Sequence, residues 1–235
     1  MSFFLEKKSK YLPKHVAFIM DGNRRWAKRH GLSSIEGHKK GSNVVKNIVK
    51  TSISLKIKYL TFFSFSTENW NRDNFEVKEL LLLLEFYLDT ELSSLKKNKI
   101  NFTVIGDRNK FSLELKKKIK NLETETLGFS NLYLVLALNY GSRNEILNAV
   151  KKIKNADIQK LTVNDISTYL MTSRFPDPDF VIRTSGERRL SNFLLWQLAY
   201  SELYFTKTLW PDFNSYKYKE ALNNFISRNR RFGGN

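Results

Sequence analysis

The chain of 235 residues contains no cysteine and only three histidines. The absence of cysteine excludes disulfide frameworks, thiolate zinc sites and cysteine nucleophiles. Three histidines are also too few for a histidine-rich metal cage. Two phosphate-binding motifs, G-x-x-x-x-G-K-[ST] and G-x-G-x-x-G, are absent as well, which argues against nucleotide hydrolysis and ordinary dinucleotide binding.

Long hydrophobic runs are also missing. The most apolar stretch, residues 80–88, is interrupted by Glu85 and is shorter than the ~20 apolar residues that a membrane-spanning helix needs. Residues 1–14 carry four lysines around a short apolar patch but have no long apolar core and no small-residue cleavage site. We therefore interpret residues 1–14 as a flexible arm rather than a signal peptide.

Positive charge is abundant: the chain has 40 lysines and arginines but only 23 acidic residues, which gives a formal net charge of +17. Such an excess is typical of proteins that bind nucleic acid, an anionic membrane surface or a small polyanionic substrate. A fourth interpretation is a lysine-rich surface that serves solubility alone. Composition does not choose among the four.

Short apolar segments alternate with helix-period segments along the chain. The apolar segments are rich in β-branched and aromatic residues and mostly continuous, as in strands buried on both faces; they are residues 15–20, 59–65, 100–105, 132–138, 180–182 and 203–205. Helical periodicity appears at residues 41–55, 76–95, 112–126 and 142–154. The order predicts an α/β fold: one domain, residues 15–235, with a mostly parallel six-stranded sheet flanked by helices.

The predicted helix at residues 76–95 is apolar nearly all the way round for two turns, which is unusual for a surface helix. One interpretation is a helix buried in the core. The other is a helix with one face on the sheet and another lining an apolar cavity. The sequence alone does not say which of the leucines at 80–88 would face such a cavity.

Polar, arginine-bearing sequences follow four of the predicted strands. They are residues 21–26 (DGNRRW), 66–72 (STENWNR), 139–143 (NYGSR) and 183–191 (RTSGERRLS). Ligands of parallel α/β sheets bind beyond the carboxyl ends of the strands, and arginine forks and glycine-flanked helix starts suit phosphate. Asp21 is placed to hold a divalent cation together with substrate phosphates, although it is equally a candidate helix N-cap. Any single arginine is equally a candidate for a surface salt bridge.

These four sequences suit an organic diphosphate bound with Mg²⁺ beside a long apolar helix. With these motifs the sequence closely resembles the cis-prenyltransferases, the undecaprenyl diphosphate synthase family. The resemblance runs in order from about residue 15 to the C-terminus. It rests on residues 15–27, 36–38 (EGH), 65–72 (FSTENWNR), 139–141 (NYG), 179–187 (DFVIRTSGE), 191–197 (SNFLLWQ), 202–205 (ELYF), 210–213 (WPDF) and 230–234 (RRFGG). It implies an enzyme that condenses isopentenyl diphosphate repeatedly onto an allylic diphosphate, such as farnesyl diphosphate, to give a long-chain cis-polyprenyl diphosphate, with undecaprenyl diphosphate for cell-envelope glycan synthesis as the expected product.

The resemblance also implies roles for individual residues. Asp21 would bind Mg²⁺ and assist departure of the allylic diphosphate, with Glu202 as a second carboxylate associated with Mg²⁺. The allylic diphosphate would be held by Gly22, Asn23, Arg24 and Arg25, with Trp26 and His38 beside it. The mobile loop that closes over both substrates would carry Ser66, Thr67, Glu68, Asn69, Trp70 and Arg72.

In that loop Asn69 matches the position proposed to assist proton removal from isopentenyl diphosphate. Because an amide is a poor base, its role is orientation and hydrogen bonding, with a diphosphate oxygen as a candidate acceptor. Isopentenyl diphosphate itself would be held by Arg183, Arg189, Leu190 and Ser191. The resemblance further implies an apolar tunnel between sheet and helices, a homodimer and a cytoplasmic protein with at most peripheral contact with the inner membrane surface. Residues 227–235 would then cross the dimer interface; the alternative is a frayed terminus.

Some positions depart from the pattern of the family. Arg24 stands where many bacterial members have glycine, Arg188 stands where histidine is frequent, and Asp73 stands where proline often follows. Ser34 replaces an arginine that would contact a diphosphate, and Arg29 is a candidate substitute. Two other hypotheses remain: a non-catalytic partner subunit of the same fold, which would be expected to lose the loop at 21–26, and a nucleic-acid-binding protein.

Overall fold

The computed structural model describes residues 12–153 and 160–228. Six parallel strands form one sheet in the order β3-β4-β2-β1-β5-β6. Their bounds are β1 His15–Ile19, β2 Tyr59–Ser66, β3 Ile100–Ile105, β4 Leu132–Tyr140, β5 Phe180–Arg183 and β6 Glu202–Phe205. The predicted α/β class and all six predicted strands are confirmed.

Eight α-helices are assigned in the described part of the chain. They are α1 Asn23–Arg29, α2 Ser34–Ser54, α3 Asn74–Thr90, α4 Leu92–Lys97, α5 Leu113–Glu125, α6 Ser142–Lys152, α7 Val163–Tyr169 and α8 Ser215–Ile226. Short 3₁₀ helices occupy Thr67–Asn71 and Trp210–Asp212. The single helix predicted at 76–95 is in fact two, because Glu91 ends α3 and caps α4. Helices α1, α7 and α8 lie outside the four segments in which helical periodicity was predicted.

The strands are apolar on both faces because both faces are covered. On one face, Phe18 and Phe62 are completely buried and stack on each other with ring centroids 4.9 Å apart, in the same core cluster as Ile48 of α2 and Leu222 of α8. On the other face, alternate strand residues such as Ala17 pack against Phe193 and the segment that follows it. Burial on both sides explains the continuous apolar runs, since no strand of this sheet presents a full face to water.

Among the described residues, no helix is both long and apolar enough to span a bilayer. Residues 1–11 of the predicted arm lie outside the described residues. At residue 14 the chain is already anchored, because the Lys14 amide donates a hydrogen bond to Asp179 Oδ2 at 2.8 Å.

Candidate active site

The loop after β1 is fixed at its backbone. The Asp21 carbonyl accepts hydrogen bonds from Thr184 Oγ1 at 2.6 Å and from the Trp210 amide at 3.0 Å. Gly22 follows with φ +112°, and a Cβ there would lie 2.9 Å from Leu209 Cδ2 and 3.1 Å from Leu209 Cα. Only glycine fits this position. Gly22, and not Asp21, is the N-cap of α1, so the Asp21 carboxylate is free of the capping role that the sequence left open.

Arg183 joins the loop after β1 to the loop after β5. Its Nη2 lies 3.0 Å from Asp21 Oδ2, while its Nη1 donates to Ser191 Oγ at 2.8 Å and to the Arg189 carbonyl. The side chain is only 4% exposed. One buried guanidinium therefore contacts both the loop predicted to hold the allylic diphosphate, residues 21–26, and the loop predicted to hold isopentenyl diphosphate, residues 183–191, which its planar fork permits. We call these two loops the allylic and the isopentenyl diphosphate half-sites.

Asp21 is held in its ionised form. Its partial burial would raise its pKa, but hydrogen bonds from Arg183 and Ser185 and the charges of Arg183 and Arg25 outweigh that effect and hold the pKa below the ordinary value. Arg25 Nη2 lies 3.4 Å from Asp21 Oδ1. The Arg25 guanidinium also donates to the carbonyl and the hydroxyl of Ser185.

A second basic cluster lies where α1, α2 and α3 meet. Glu76 Oε1 binds Arg72 Nη1 at 3.2 Å and Arg24 Nε at 3.6 Å, and it accepts a hydrogen bond from Ser34 Oγ at 3.4 Å. Through Glu76, the guanidinium groups of Arg72 and Arg24 are thus brought close to Ser34, while Arg29 as a substitute for the missing arginine stays a prediction. Burial, and then the charges of Arg72 and Arg24, lower the pKa of His38 to about 4, so His38 is neutral at neutral pH.

The 3₁₀ helix Thr67–Asn71 presents the predicted closing loop. Asn69 Oδ1 accepts a hydrogen bond from the Ser66 amide at 3.0 Å, which completes a capping box and fixes the Asn69 side chain. Trp70 Nε1 donates to Asn139 Oδ1 at 2.7 Å and so ties the loop to the end of β4. Asp73 starts α3 by accepting from the Phe75 and Glu76 amides. Asp73 is therefore the N-cap of α3, and its carboxylate stabilises the start of that helix.

A cavity of about 1010 Å³ runs from these loops into the space between sheet and helices. Its polar end is lined by ten of the predicted site residues: Asp21, Asn23, His38, Ser66, Glu68, Asn69, Arg72, Arg183, Arg189 and Ser191. Its interior is lined by side chains of α2, α3, β2 and β4, among them Leu80, Leu81, Leu84, Leu88, Leu134, Leu136 and Leu138.

The apolar helix α3 is a cavity wall and not a core helix. Within it only Val77 and Leu88 are buried. Leu80, Leu81, Leu83 and Leu84 line the cavity. Leu82 and Phe86 face away and are 53% and 58% exposed. The structure thus favours the second interpretation of this helix and separates the leucines that the sequence left undivided.

Some predicted site residues do not line the cavity. Trp26 was expected beside the allylic diphosphate, but it is buried and its Nε1 donates to Asp212 Oδ1 at 2.8 Å. It fastens α1 to the 3₁₀ helix Trp210–Asp212, and its place beside the allylic diphosphate stays a prediction. The other predicted residues outside the lining are Gly22, Arg24, Arg25, Thr67, Trp70, Leu190 and Glu202.

Glu202 lies at the opposite end of the sheet from Asp21. It opens β6 and pairs in register with Phe180, three residues or ~10 Å before Arg183, whereas Asp21 lies beyond the carboxyl end of β1 beside Arg183. Glu202 Oε2 instead binds Arg228 Nη1 at 2.6 Å. Within one chain Asp21 and Glu202 therefore cannot ligate the same metal ion.

Sequence reasoning did not single out three residues that organise the site. Glu76 gathers two arginines and Ser34, and its spacing of four from Arg72 on a helix was an available signal. Glu187 binds both Arg25 and Arg189. Asn192 contacts Glu68 and the start of α6; nothing in its local sequence indicates this.

Known proteins with this arrangement are numerous. Residues 19–233 match the prenyltransferase family model, whose description names undecaprenyl diphosphate synthase. The farnesyl-diphosphate-specific ditrans,polycis-undecaprenyl-diphosphate synthase of Buchnera aphidicola is 52% identical over 94% of this chain and 91% of its own length. The isoprenyl transferase of Aquifex pyrophilus is 50% identical over 94% and 96%.

The solved structure of lavandulyl diphosphate synthase from Lavandula x intermedia, in complex with dimethylallyl diphosphate, has the same fold. It superposes with a TM-score of 0.92 at 36% sequence identity and covers 95% of this chain and 99% of that one. Together with the identities above and the family match over most of the sequence, this likeness shows that the chain belongs to the cis-prenyltransferase family of undecaprenyl diphosphate synthases and isoprenyl transferases.

Proposed function

We propose that this protein condenses isopentenyl diphosphate repeatedly onto an allylic diphosphate with cis geometry and releases a long polyprenyl diphosphate. The observation that carries the proposal is one continuous cavity whose mouth is an arginine-rich cluster around Asp21 and whose interior is lined by leucines. A diphosphate with a long hydrocarbon tail matches both ends. The farnesyl specificity in the name of the Buchnera relative supports farnesyl diphosphate as the primer, and undecaprenyl diphosphate as the product.

The charge of the mouth supports departure of the allylic diphosphate. Negative charge builds on the leaving group as the allylic C–O bond breaks, and fixed cationic donors stabilise it without having to reorganise. Arg72, which lines the cavity, supplies such a donor, and Arg25 and Arg24 add positive charge from outside the lining through their contacts with Asp21 and Glu76. Arg183, Arg189 and Ser191 line the cavity and supply donors for isopentenyl diphosphate. His38 is neutral and adds hydrogen-bonding capacity but no charge.

Asn69 orients the reacting end of isopentenyl diphosphate. The Ser66 amide holds its Oδ1, which leaves the amide nitrogen Nδ2 as the group available to a substrate. Because this nitrogen is a donor and not a base, we assign the proton that leaves isopentenyl diphosphate to a diphosphate oxygen. The apolar walls exclude water from the carbocation that forms at the allylic end.

The residues at the mouth fit Mg²⁺ that is held mainly by substrate phosphates. Among the described residues, no group of three acidic or histidine side chains comes together as a metal cage. Asp21 supplies a hard, ionised oxygen ligand in the loop after β1, and one carboxylate plus phosphates is a common Mg²⁺ environment. When bound, the ion would add Lewis-acid stabilisation to the leaving diphosphate. We therefore propose Asp21 as the residue that binds Mg²⁺. Glu202 stays a predicted second carboxylate, and within one chain it cannot bind the same ion as Asp21.

The experiment is to incubate the purified protein with farnesyl diphosphate, labelled isopentenyl diphosphate and Mg²⁺ in detergent, and to size the extracted products. We expect a polyprenyl ladder that Asp21→Ala abolishes. Leu84→Trp fills the cavity and should shorten the longest product. Leu82→Trp, on the outer face of the same helix, is the matched control and should leave the ladder unchanged. A folded wild-type protein that makes no product would contradict the proposal.

We also propose that two copies associate through the face formed by α6, α7 and the segment after Ser191. These parts are joined by hydrogen bonds from the Leu195 amide to Ser142 Oγ and from Trp196 Nε1 to Ser167 Oγ. The face exposes Leu147 (50%), Val150 (51%) and Val163 (68%). Large exposed apolar patches mark association sites.

Light scattering should give a dimer mass, and Leu147→Lys should give a monomer. Leu127→Lys, at a leucine after α5 that is even more exposed, should not. A monomeric wild-type protein would contradict this part of the proposal. The predicted interface residues 229–235 lie outside the described residues.

Finally, we propose a cytoplasmic protein that touches an anionic membrane surface peripherally. Phe75, Leu82 and Phe86 form an exposed stripe on the outer face of α3, the helix whose inner face lines the cavity. The net charge of +17 favours anionic lipid. Flotation with anionic and neutral vesicles tests the contact, with the Phe75→Ser/Phe86→Ser variant expected to lose binding to the anionic ones.

A further inference from the structure

The segment after β5 has an unusual backbone. Ser191, Asn192 and Leu194 have φ values of +50°, +62° and +46°. Non-glycine residues seldom adopt positive φ, and runs of them persist only where the surrounding contacts impose them. Ser191 is the residue that binds Arg183, so this conformation sets the geometry of the isopentenyl diphosphate half-site.

Asn192 makes the contacts that impose this conformation. Its carbonyl accepts a hydrogen bond from the Ser142 amide at 2.8 Å, and its Oδ1 accepts one from the Arg143 amide at 2.9 Å. Both amides belong to the first turn of α6 and have no partner within that helix. The segment is thereby fastened to a rigid element.

The remaining side-chain group of Asn192 reaches across the mouth of the cavity. Its Nδ2 donates to Glu68 Oε1 at 3.0 Å. Glu68 belongs to the 3₁₀ helix that carries Asn69, and the Thr67 hydroxyl binds the other oxygen of its carboxylate at 3.1 Å. Space for the contact depends on Gly141, because a Cβ there would lie 2.7 Å from Asn192 Nδ2.

We propose that Asn192 is a positioning residue that couples the closing loop to the isopentenyl diphosphate half-site. Through Glu68 it holds Asn69 in place while its own backbone presents Ser191 to Arg183. This inference rests on the proposed function, but the bond itself can be measured without any substrate. Asn192 does not touch the reacting atoms; it acts through Glu68 and Ser191.

Exchanging amide and carboxylate groups between positions 192 and 68 distinguishes a positioning role of Asn192 from a merely structural one. Asn192→Asp keeps an acceptor for the Arg143 amide but places a carboxylate against Glu68. Losing one hydrogen bond and adding this repulsion should lower kcat/KM for isopentenyl diphosphate by at least about fivefold, with the KM for the allylic primer unchanged. In the Glu68→Gln background, the amide at position 68 can donate a hydrogen bond to the carboxylate at position 192. Adding Asn192→Asp to Glu68→Gln should therefore lower kcat/KM for isopentenyl diphosphate by less than about twofold.

The control is Asn121→Asp, the same change at an exposed position of α5, which should leave activity unchanged. Should Asn192→Asp fail to fold, Asn192→Gly tolerates the positive φ and removes the same bond; combined with Glu68→Ala it should then be no worse than either single change. Hydrogen exchange of the peptide 66–72, without substrate, should accelerate in Asn192→Asp and return towards wild type in the Glu68→Gln/Asn192→Asp double variant.

Equal losses from Asn192→Asp in the wild-type and Glu68→Gln backgrounds, or unchanged exchange of residues 66–72, would overturn the coupling. Absence of any product from the wild-type protein would instead refute the proposed function, while the exchange measurement would still report on the contact between Asn192 and Glu68.

Discussion

Arg183→Lys is the most direct test of the bridging guanidinium. The substitution keeps the positive charge beside Asp21 but replaces a two-nitrogen fork by one nitrogen. In the native protein Nη2 contacts Asp21 Oδ2 at 3.0 Å while Nη1 contacts Ser191 Oγ at 2.8 Å. A lysine ammonium cannot occupy both positions at once. The variant should therefore keep one half-site and lose the other.

The expected magnitude follows from the bonds that are lost. A hydrogen bond to a charged group contributes about 1.5–3 kcal/mol, and if it is made fully in the transition state its loss lowers kcat/KM about 10- to 100-fold. Because Ser191 and Asp21 share the same guanidinium, Ser191→Ala should cost much less in the Arg183→Lys background than in the native one. Arg183→Met should do more damage than Arg183→Lys, since it leaves the Asp21 carboxylate without its main partner.

The assay is the initial rate of isopentenyl diphosphate incorporation at several concentrations, together with the thermal midpoint of each variant. Arg108→Lys is the matched control, because Arg108 binds Glu123 through two nitrogens at 2.9 and 2.6 Å away from the cavity. It should leave activity intact. If Arg183→Lys stays within threefold of the wild type, or if Arg108→Lys loses as much, the bridge is not the cause.

Three further predictions concern stability. Gly22→Ala should cost about 3 kcal/mol of unfolding free energy because it adds a contact with Leu209 to an unfavourable φ of +112°, whereas Gly31→Ala, with φ +66° and open space around it, should cost about 1 kcal/mol by urea denaturation. Burial lowers the pKa of His15 to about 4, so the neutral imidazole stabilises the folded protein fully above pH 6.5 and this stabilisation is lost as the pH falls towards 4. The free energy of unfolding should fall by on the order of 2 kcal/mol between pH 6.5 and 5, and this fall should be smaller in His15→Gln. Asp73→Ala removes the N-cap of α3 and should cost about 1 kcal/mol, measured as a lower thermal midpoint.

The strands were predictable because their burial on both faces shows in the sequence as short continuous runs of apolar residues. Residues 132–138 are continuously apolar since β4 lies between two strands and is covered on both faces. Helix α1 was left open and not predicted outright, for an equally local reason. It spans only seven residues and begins after a glycine at positive φ with no side-chain cap, so the candidate N-cap at Asp21 was not followed by a long helical pattern.

The gathering of polar residues at one edge of the sheet was also predictable, because parallel strands end together. What each residue does there was not. Trp26 directly follows residues 22–25, which were predicted to hold a diphosphate, yet its side chain points inward to Asp212. Glu202 begins a strongly matching motif, yet the register of β6 places it at the amino end of its strand. Facing direction and register are properties of the assembled sheet and are not visible in a motif.

Ser34 shows most clearly how proximity in sequence and in space differ. Arg29 is the nearest upstream arginine, but α1 and α2 pack side by side because Gly37 and Gly41 leave room for the Asn23 carbonyl and side chain, each within 2.3 Å of where a Cβ would be. That packing brings the first turn of α1, and therefore Arg24, to Ser34 and Glu76. Arg24 and Ser34, the two positions at which this sequence departs from the family pattern by a gained and a lost arginine, thus both contact the carboxylate of Glu76. Arg24 and Arg72 therefore both place a guanidinium at the corner of the site where Ser34 stands.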